Sequence, residues 1–272
     1  MRGASRASLT AAKTRLAAAL AGGTAADASE LGDELFAVVD LLDGEAGLRR
    51  ALSDPTIEGS ARAELATELF GGKVSAKTLD QLTGLATGRW SEPTDLADAV
   101  EQLAVLAIAE AADCDGQLDN VEDELFRFSR IVEASPYLRA ALSNPFVPAD
   151  GRRSLVADLL DDKVSKPAFR LITQAAARPR GRSLDTSLEM YANLAAELRE
   201  RFVAEVHVAV PLADAQKDRL AVALVAAYGH DVHLNVVVDT EVIGGMSVRI
   251  GDELINGSVA GRLADLRREL AA

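Results

Sequence analysis

The sequence predicts a mainly helical α+β chain: two related N-terminal helical bundles followed by a small C-terminal α/β domain. Three observations predict it. A long stretch beginning at Glu34 recurs, without a gap, beginning at Glu124, an offset of 90 residues. Apolar residues through both copies recur at helical spacing. After Arg201 the period shortens to two, the mark of half-buried strands.

The repeat reads "ELFAVVDLLDGEAGLRRALSDPTIEGSARAELATELFGGKVS" from Glu34 and "ELFRFSRIVEASPYLRAALSNPFVPADGRRSLVADLLDDKVS" from Glu124. Glu34, Leu35 and Phe36 match Glu124, Leu125 and Phe126. Leu48, Arg49, Ala51, Leu52, Ser53 and Pro55 match Leu138, Arg139, Ala141, Leu142, Ser143 and Pro145. Lys73-Val74-Ser75 matches Lys163-Val164-Ser165, so the chain carries a duplicated structural unit. Leu35, Val38, Val39 and Leu42 form one helical stripe, and Leu125, Phe128, Ile131 and Val132 another. Asp54-Pro55 and Asn144-Pro145 interrupt the helices, because proline pushes the preceding residue out of the α region. New helices then run through Leu65 and Leu69, and through Leu155 and Leu159. Ser75 and Ser165 are expected to cap the helices that follow. Residues 94–112 carry Leu96, Val100, Leu103, Leu106 and Ala107, one helix that closes the first unit, opens the second and can serve both. The expected domains are 1–94, 95–202 and 203–272.

In the third part, Val206, Val208 and Val210 alternate with polar or small residues. A helix follows from Ala213, with Leu220, Leu224 and Tyr228 four apart. Val232, Leu234, Val236 and Val238 predict a second strand, Met246, Val248 and Ile250 a third, and Leu254-Ile255 a short fourth. Ser258 precedes a last helix carrying Leu263, Leu266 and Leu270.

Composition narrows the function. The 272 residues are 49% hydrophobic and 26% charged, a globular balance. A net charge of −13 and a pI near 4.8 repel phosphate backbones and anionic lipid. Cys114 is the single cysteine, so no intramolecular disulfide forms, which fits a reducing compartment. No histidine lies in its local sequence, and it is taken as a structural thiol. The apolar run from Leu16 to Ala21 is too short for a signal-peptide core.

Four features of the sequence are candidates for chemistry. The glycines of "VIGGMSVRIGDELINGSV" punctuate hairpins: Gly251-Asp252 suits a two-residue turn, Asn256-Gly257 a tight turn, and Gly244-Gly245 a bulge entering a strand. "FGGKVS", from Phe70, fails as a phosphate loop, since Val74 follows Lys73 and Thr67 stands where the first glycine is needed. The second copy replaces its glycines by Asp161 and Asp162. His207, His230 and His233 lack the acid or thiol spacing of a zinc site and are read as polar strand-face residues. "ARPRGRS", from Ala177, is a basic cluster that either meets an acidic surface or forms a solvated turn. The residues therefore offer no catalytic, cofactor-binding or metal site.

The stretch "LNVVVDTEVIGGMSVRIGDELINGSVAGRLADLRREL", from Leu234, resembles the C-terminal signature of the delta subunit of bacterial rotary ATP synthases, the family of the oligomycin-sensitivity-conferring protein. The resemblance rests on Val238-Asp239, Ile243-Gly244-Gly245, Arg249-Ile250-Gly251-Asp252, Ile255, Gly257-Ser258-Val259 and Arg262-Leu263. Upstream, "ALSNPFVPADGRRSLVADLL" and "DKVSKPAFRLI" resemble the family's helical bundle. The first copy is additional, as in extended members of actinobacterial type. The resemblance implies a non-catalytic stator subunit without cofactor, held peripherally on the cytoplasmic face of the cell membrane. Its implied partners are alpha-subunit N-terminal segments and the C-terminal region of the b subunit. A free-standing helical adaptor and a small nucleotide-dependent enzyme are the competing readings. The adaptor leaves the C-terminal signature unexplained. The enzyme lacks a glycine loop at a helix N-terminus.

Overall fold

Among the described residues, eleven helices come before the first strand and bury one another's apolar faces, since most helical stability comes from tertiary packing. They are α1 (Gly3–Leu20), α2 (Ala25–Gly44), α3 (Ala46–Ser53), α4 (Gly59–Phe70), α5 (Ala76–Thr87) and α6 (Pro93–Cys114). The second copy supplies α7 (Leu118–Ala134), α8 (Pro136–Ser143), α9 (Ala149–Leu160), α10 (Lys166–Ala177) and α11 (Leu184–Arg201). The computed structural model describes the chain except residues 2, 145, 161–162, 202, 229–232, 240–244, 251–252 and 257–272. It divides into two compact units, Met1–Ala196 and Glu197–Ala272. The division expected at 94/95 falls inside the first unit, at the start of α6.

The duplication is visible atom by atom. The Ser75 hydroxyl accepts from the Thr78 amide at 3.3 Å, and Ser165 does the same for Ala168 at 3.4 Å. Each serine also donates to a carboxylate one helix away: Ser75 to Glu34 at 2.7 Å, Ser165 to Glu124 at 2.6 Å. The Asp54 carboxylate accepts from the Thr56 amide, and the Asn144 side chain from that of Phe146, so both breaks are Asx turns. Lys73 donates to the Leu69 carbonyl and Lys163 to that of Leu159, both at 2.8 Å.

α6 is the axis of the helical unit. It packs against α1, α2, α3 and α5 on one side and α7 and α10 on the other. Its residues from Leu103 to Ala112 are buried without a break, so the expected stripe is a helix enclosed nearly all round. Gly32 of α2 is what lets the backbones approach: a Cβ there would stand 2.6 Å from the Ile108 side chain.

Two details differ from the sequence reading. Ile131 projects outward and is exposed, as is Leu41 at the matching position, while Leu125, Phe128 and Val132 are core. In α4 and α9 the core row is Arg62, Ala66, Phe70 and Arg152, Val156, Leu160, one position round from the leucines expected there. The arginines are buried because each caps the end of a neighbouring helix. Arg62 donates to the Gly88 carbonyl at 2.9 Å, and Arg152 to that of Ala177 at 3.0 Å.

In the second unit, β1 (Val203–Val208), β2 (His233–Val238), β3 (Met246–Ile250) and β4 (Glu253–Asn256) form one sheet in the order β2-β1-β3-β4. β1 and β2 are parallel, joined through α12 (Asp214–Tyr228), and the other pairs are antiparallel. Ala204, Val206, Val208, Leu224, Val248 and Ile250 make its core. Val210, expected in the first strand, lies beyond it and is exposed, since Pro211 cannot donate to a ladder. Ile250 pairs with Glu253, so two residues join β3 to β4; that turn, Gly251-Asp252, lies outside the described residues. So do His230, Val232, Gly244, Gly257 and the last expected helix. Gly245 is described and takes φ 81, a conformation glycine tolerates.

Candidate docking surfaces

The basic cluster after Ala177 meets an acidic surface, and that surface belongs to the same chain. Arg180 and Gly181 both take left-handed backbone conformations, φ 50 and 74, which turn the Arg180 side chain back onto α2 and α6. Its guanidinium pairs with Asp43 at 2.6 Å, Asp98 at 3.1 Å and Glu101. Arg182 also grips Glu101, and the Tyr191 hydroxyl donates to the same carboxylate at 2.8 Å. The Glu101 side chain is only 2% exposed, so a buried anion is offset by two cations and a phenol. Burial, then the adjacent Glu101, pushes the Tyr191 hydroxyl well above its usual range, which keeps it a donor. Burial likewise raises the Asp98 carboxyl, against the pull of Arg180 and Arg182.

The seam continues along α2. Arg170 donates to Ser29 at 2.6 Å and pairs with Asp33. Asp40 receives Arg178 at 3.0 Å and Arg153 at 3.7 Å. Phe36 sits among these pairs, beside Phe169 and Thr173, and is 7% exposed. Sequence reasoning saw the arginines but not their partners. The signal was present: Asp33, Asp40 and Asp43 recur at helical spacing on α2.

Beside the seam opens a groove of about 1160 Å³. Its walls are the end of α6 (Ala111, Asp115), the start of α7 (Gln117), the end of α9 (Leu160) and the start of α10 (Lys166, Phe169). Its lining mixes apolar and charged groups.

The other candidate residues take structural places. "FGGKVS" is a helix end: Gly71 donates back to Thr67, Gly72 takes φ 72, and Lys73 covers the Leu69 carbonyl. Cys114 is exposed at the end of α6, and burial with Glu110, Asp113 and Asp115 raises its thiol, which lowers its thiolate fraction. His207 lies 3.5 Å from both Glu205 and Asp239. His233 pairs with Val203, four residues along β1 from His207, roughly 13 Å at strand rise. Among the described residues no group of His, Cys, Asp and Glu could hold a metal ion, and no helix is long and apolar enough to cross a membrane.

Packed helices joined by ion-paired seams beside an open groove, followed by a small mixed sheet, give the architecture of a structural subunit. Comparison with known proteins identifies which one. The chain belongs to the ATP synthase delta (OSCP) subunit family, whose model matches residues 105–270. The ATP synthase subunit delta of Streptomyces avermitilis is 50% identical over 99% of this chain and 98% of that protein. Those of Streptomyces coelicolor and Thermobifida fusca are 50% and 47% identical, each over 100% of this chain and 99% and 100% of their own lengths. Among solved structures, a chain of the Toxoplasma gondii mitochondrial ATP synthase hexamer aligns at TM-score 0.33 and 19% identity, covering 62% of this chain and 95% of that one. The protein is thus a non-catalytic stator component of the peripheral stalk, part of a membrane-associated complex. A rotor drives catalysis only if the stator does not turn with it, so the part must bear torque and needs no chemistry.

Proposed function

We propose that the helical unit holds N-terminal segments of alpha subunits while the second unit holds the C-terminal region of the b subunit, on the cytoplasmic face of the cell membrane. The groove between α6, α7, α9 and α10 supports the first half of this reading, because it is open and lined by Leu160, Phe169, Lys163 and Lys166. An amphipathic helix would lay its apolar face on the first pair and acids near the lysines. The sheet's edge strand β2, with Val237 and Val238 exposed, supports the second half. Residues 1–94, 95–202 and 203–272 then act as three parts, the first two joined through α6.

Calorimetry of the full chain with an alpha N-terminal peptide and with a b C-terminal segment tests both halves. Lys163→Glu with Lys166→Glu should weaken the alpha peptide about tenfold, one to two charge contacts, and leave the b segment unaffected. Absence of alpha binding, or binding indifferent to the double variant, removes the groove from this role. A fragment from Asp95 to the C-terminus should bind the b segment like the full chain if the parts are modular.

A further inference from the structure

Arg49 of α3 and Arg152 of α9 belong to different copies and line one open cleft of about 540 Å³. Three other arginines line it, but their charge is met within the chain. Arg178 pairs with Asp40, Arg180 with Asp43 and Asp98, and Arg182 with Glu101. Asp43 and Asp98, which also line the cleft, are thereby turned to Arg180. Arg49 and Arg152 differ. Among the described residues each meets one carbonyl oxygen and no carboxylate: Arg49 donates to Leu42 at 2.7 Å and Arg152 to Ala177 at 3.0 Å, and the Nε of each has no acceptor. Arg152 is only 9% exposed. Its counterpart in the first copy, Arg62, donates to three carbonyls, those of Asp54, Thr87 and Gly88. A guanidinium carries five N–H donors, so Arg152 keeps both donors and a whole charge to spare, and a buried cation without an anion is costly.

We propose that this cleft binds a phosphate group, free or carried on a nucleotide, between Arg49 and Arg152. The planar fork of a guanidinium matches two phosphate oxygens, and the pairing strengthens where water is partly excluded. Asp43, Thr94, Asp98, Ala177 and Pro179 complete the lining with the arginines, so a base finds no aromatic ring to stack on and recognition stops at the phosphate. The net charge of −13 opposes any anion, but salt screens it beyond about 8 Å, and the local excess of base decides. Because one arginine comes from each copy, the bound anion ties the two together. The cleft shares no lining residue with the groove assigned to the alpha segments, so the site does not depend on that reading.

Equilibrium dialysis of radiolabelled inorganic phosphate against the full chain, with ionic strength held constant by chloride, tests the site. One phosphate per chain should bind with Kd about 1 mM, the strength of a few charge-assisted contacts. Arg49→Gln and Arg152→Gln should each weaken binding about tenfold, whereas Lys163→Glu with Lys166→Glu in the groove should leave it unchanged. ADP should displace the phosphate and adenosine should not. Displacement by ADP at lower concentration than by unlabelled phosphate assigns the site to a nucleotide's phosphates, and the reverse order assigns it to free phosphate. No binding up to about 20 mM phosphate overturns the proposal, as does binding indifferent to both arginine variants, or displacement by adenosine. Should Arg152→Gln fail to fold, Arg49→Gln on the half-buried α3 side chain decides alone, with the same outcomes.

Discussion

The first and second copies share a backbone plan and differ in what covers it. Caps, Asx turns and buried arginines recur in both at the 90-residue offset. The first copy's α2 is enclosed by α6 on one side and the basic seam on the other. The second copy's α7 keeps an open outward face, and Tyr137 and Phe146 are exposed where the first copy has Gly47 and Thr56. Duplication thus yielded one half that braces and one half that retains free surface. The lesson is that a repeated scaffold conserves its satisfied backbone groups, while its faces diverge with their neighbours.

The largest expected effect tests the brace. Glu101→Ala leaves Arg180 and Arg182 near an empty site, and breaking a buried pair costs about 3–5 kcal/mol. Urea unfolding followed by circular dichroism should show that loss in the helical unit; a change under about 1 kcal/mol would mean that solvent already screens the seam.

Next comes the direct contrast between copies. Phe36→Ala should cost about 3 kcal/mol, the usual range for a buried phenylalanine, whereas Phe126→Ala in the isolated chain should stay within about 0.5 kcal/mol. Equal costs would show that the two faces are equally covered in solution. A matched pair serves as control: Ser75→Ala and Ser165→Ala should each cost about 1 kcal/mol, and a clear difference between them would break the equivalence of the caps.

The smallest effect is a pH slope. Because the Asp98 carboxyl is raised in the folded state, the native chain holds that proton more tightly than the unfolded one. Its contribution to stability is therefore lost as pH rises from the unfolded value of 3.8 through the higher folded value. Asp98→Asn should flatten that part of the curve of urea midpoint against pH. Parallel curves for variant and parent would show that Arg180 and Arg182 fully offset the burial.

Much of the fold was legible because it is local chemistry. Helical spacing placed Leu35, Val38, Val39 and Leu42, and the serine caps followed from hydroxyls standing before apolar runs. Errors arose where a helix has two plausible stripes. Ile131 adjoins Val132 in sequence but lies about 100° round the helix, and Leu65 and Leu155 flank core rows that contain an arginine. Hydrophobicity alone ranks Leu above Arg62, yet a helix end with unpaired carbonyls can bury a guanidinium.

By itself the sequence determined the duplication, the helical character of the first 200 or so residues, the alternating strands after Arg201 and the membership carried by the C-terminal signature. These depend on residue type and spacing along the chain. Only the tertiary structure decided that α6 is enclosed nearly all round, that the "ARPRGRS" arginines are consumed by Asp43, Asp98 and Glu101, and that Phe36 is covered while Phe126 is not. Those outcomes join residues about 80 to 140 positions apart, and spacing within a helix carries no information on which distant face will meet it.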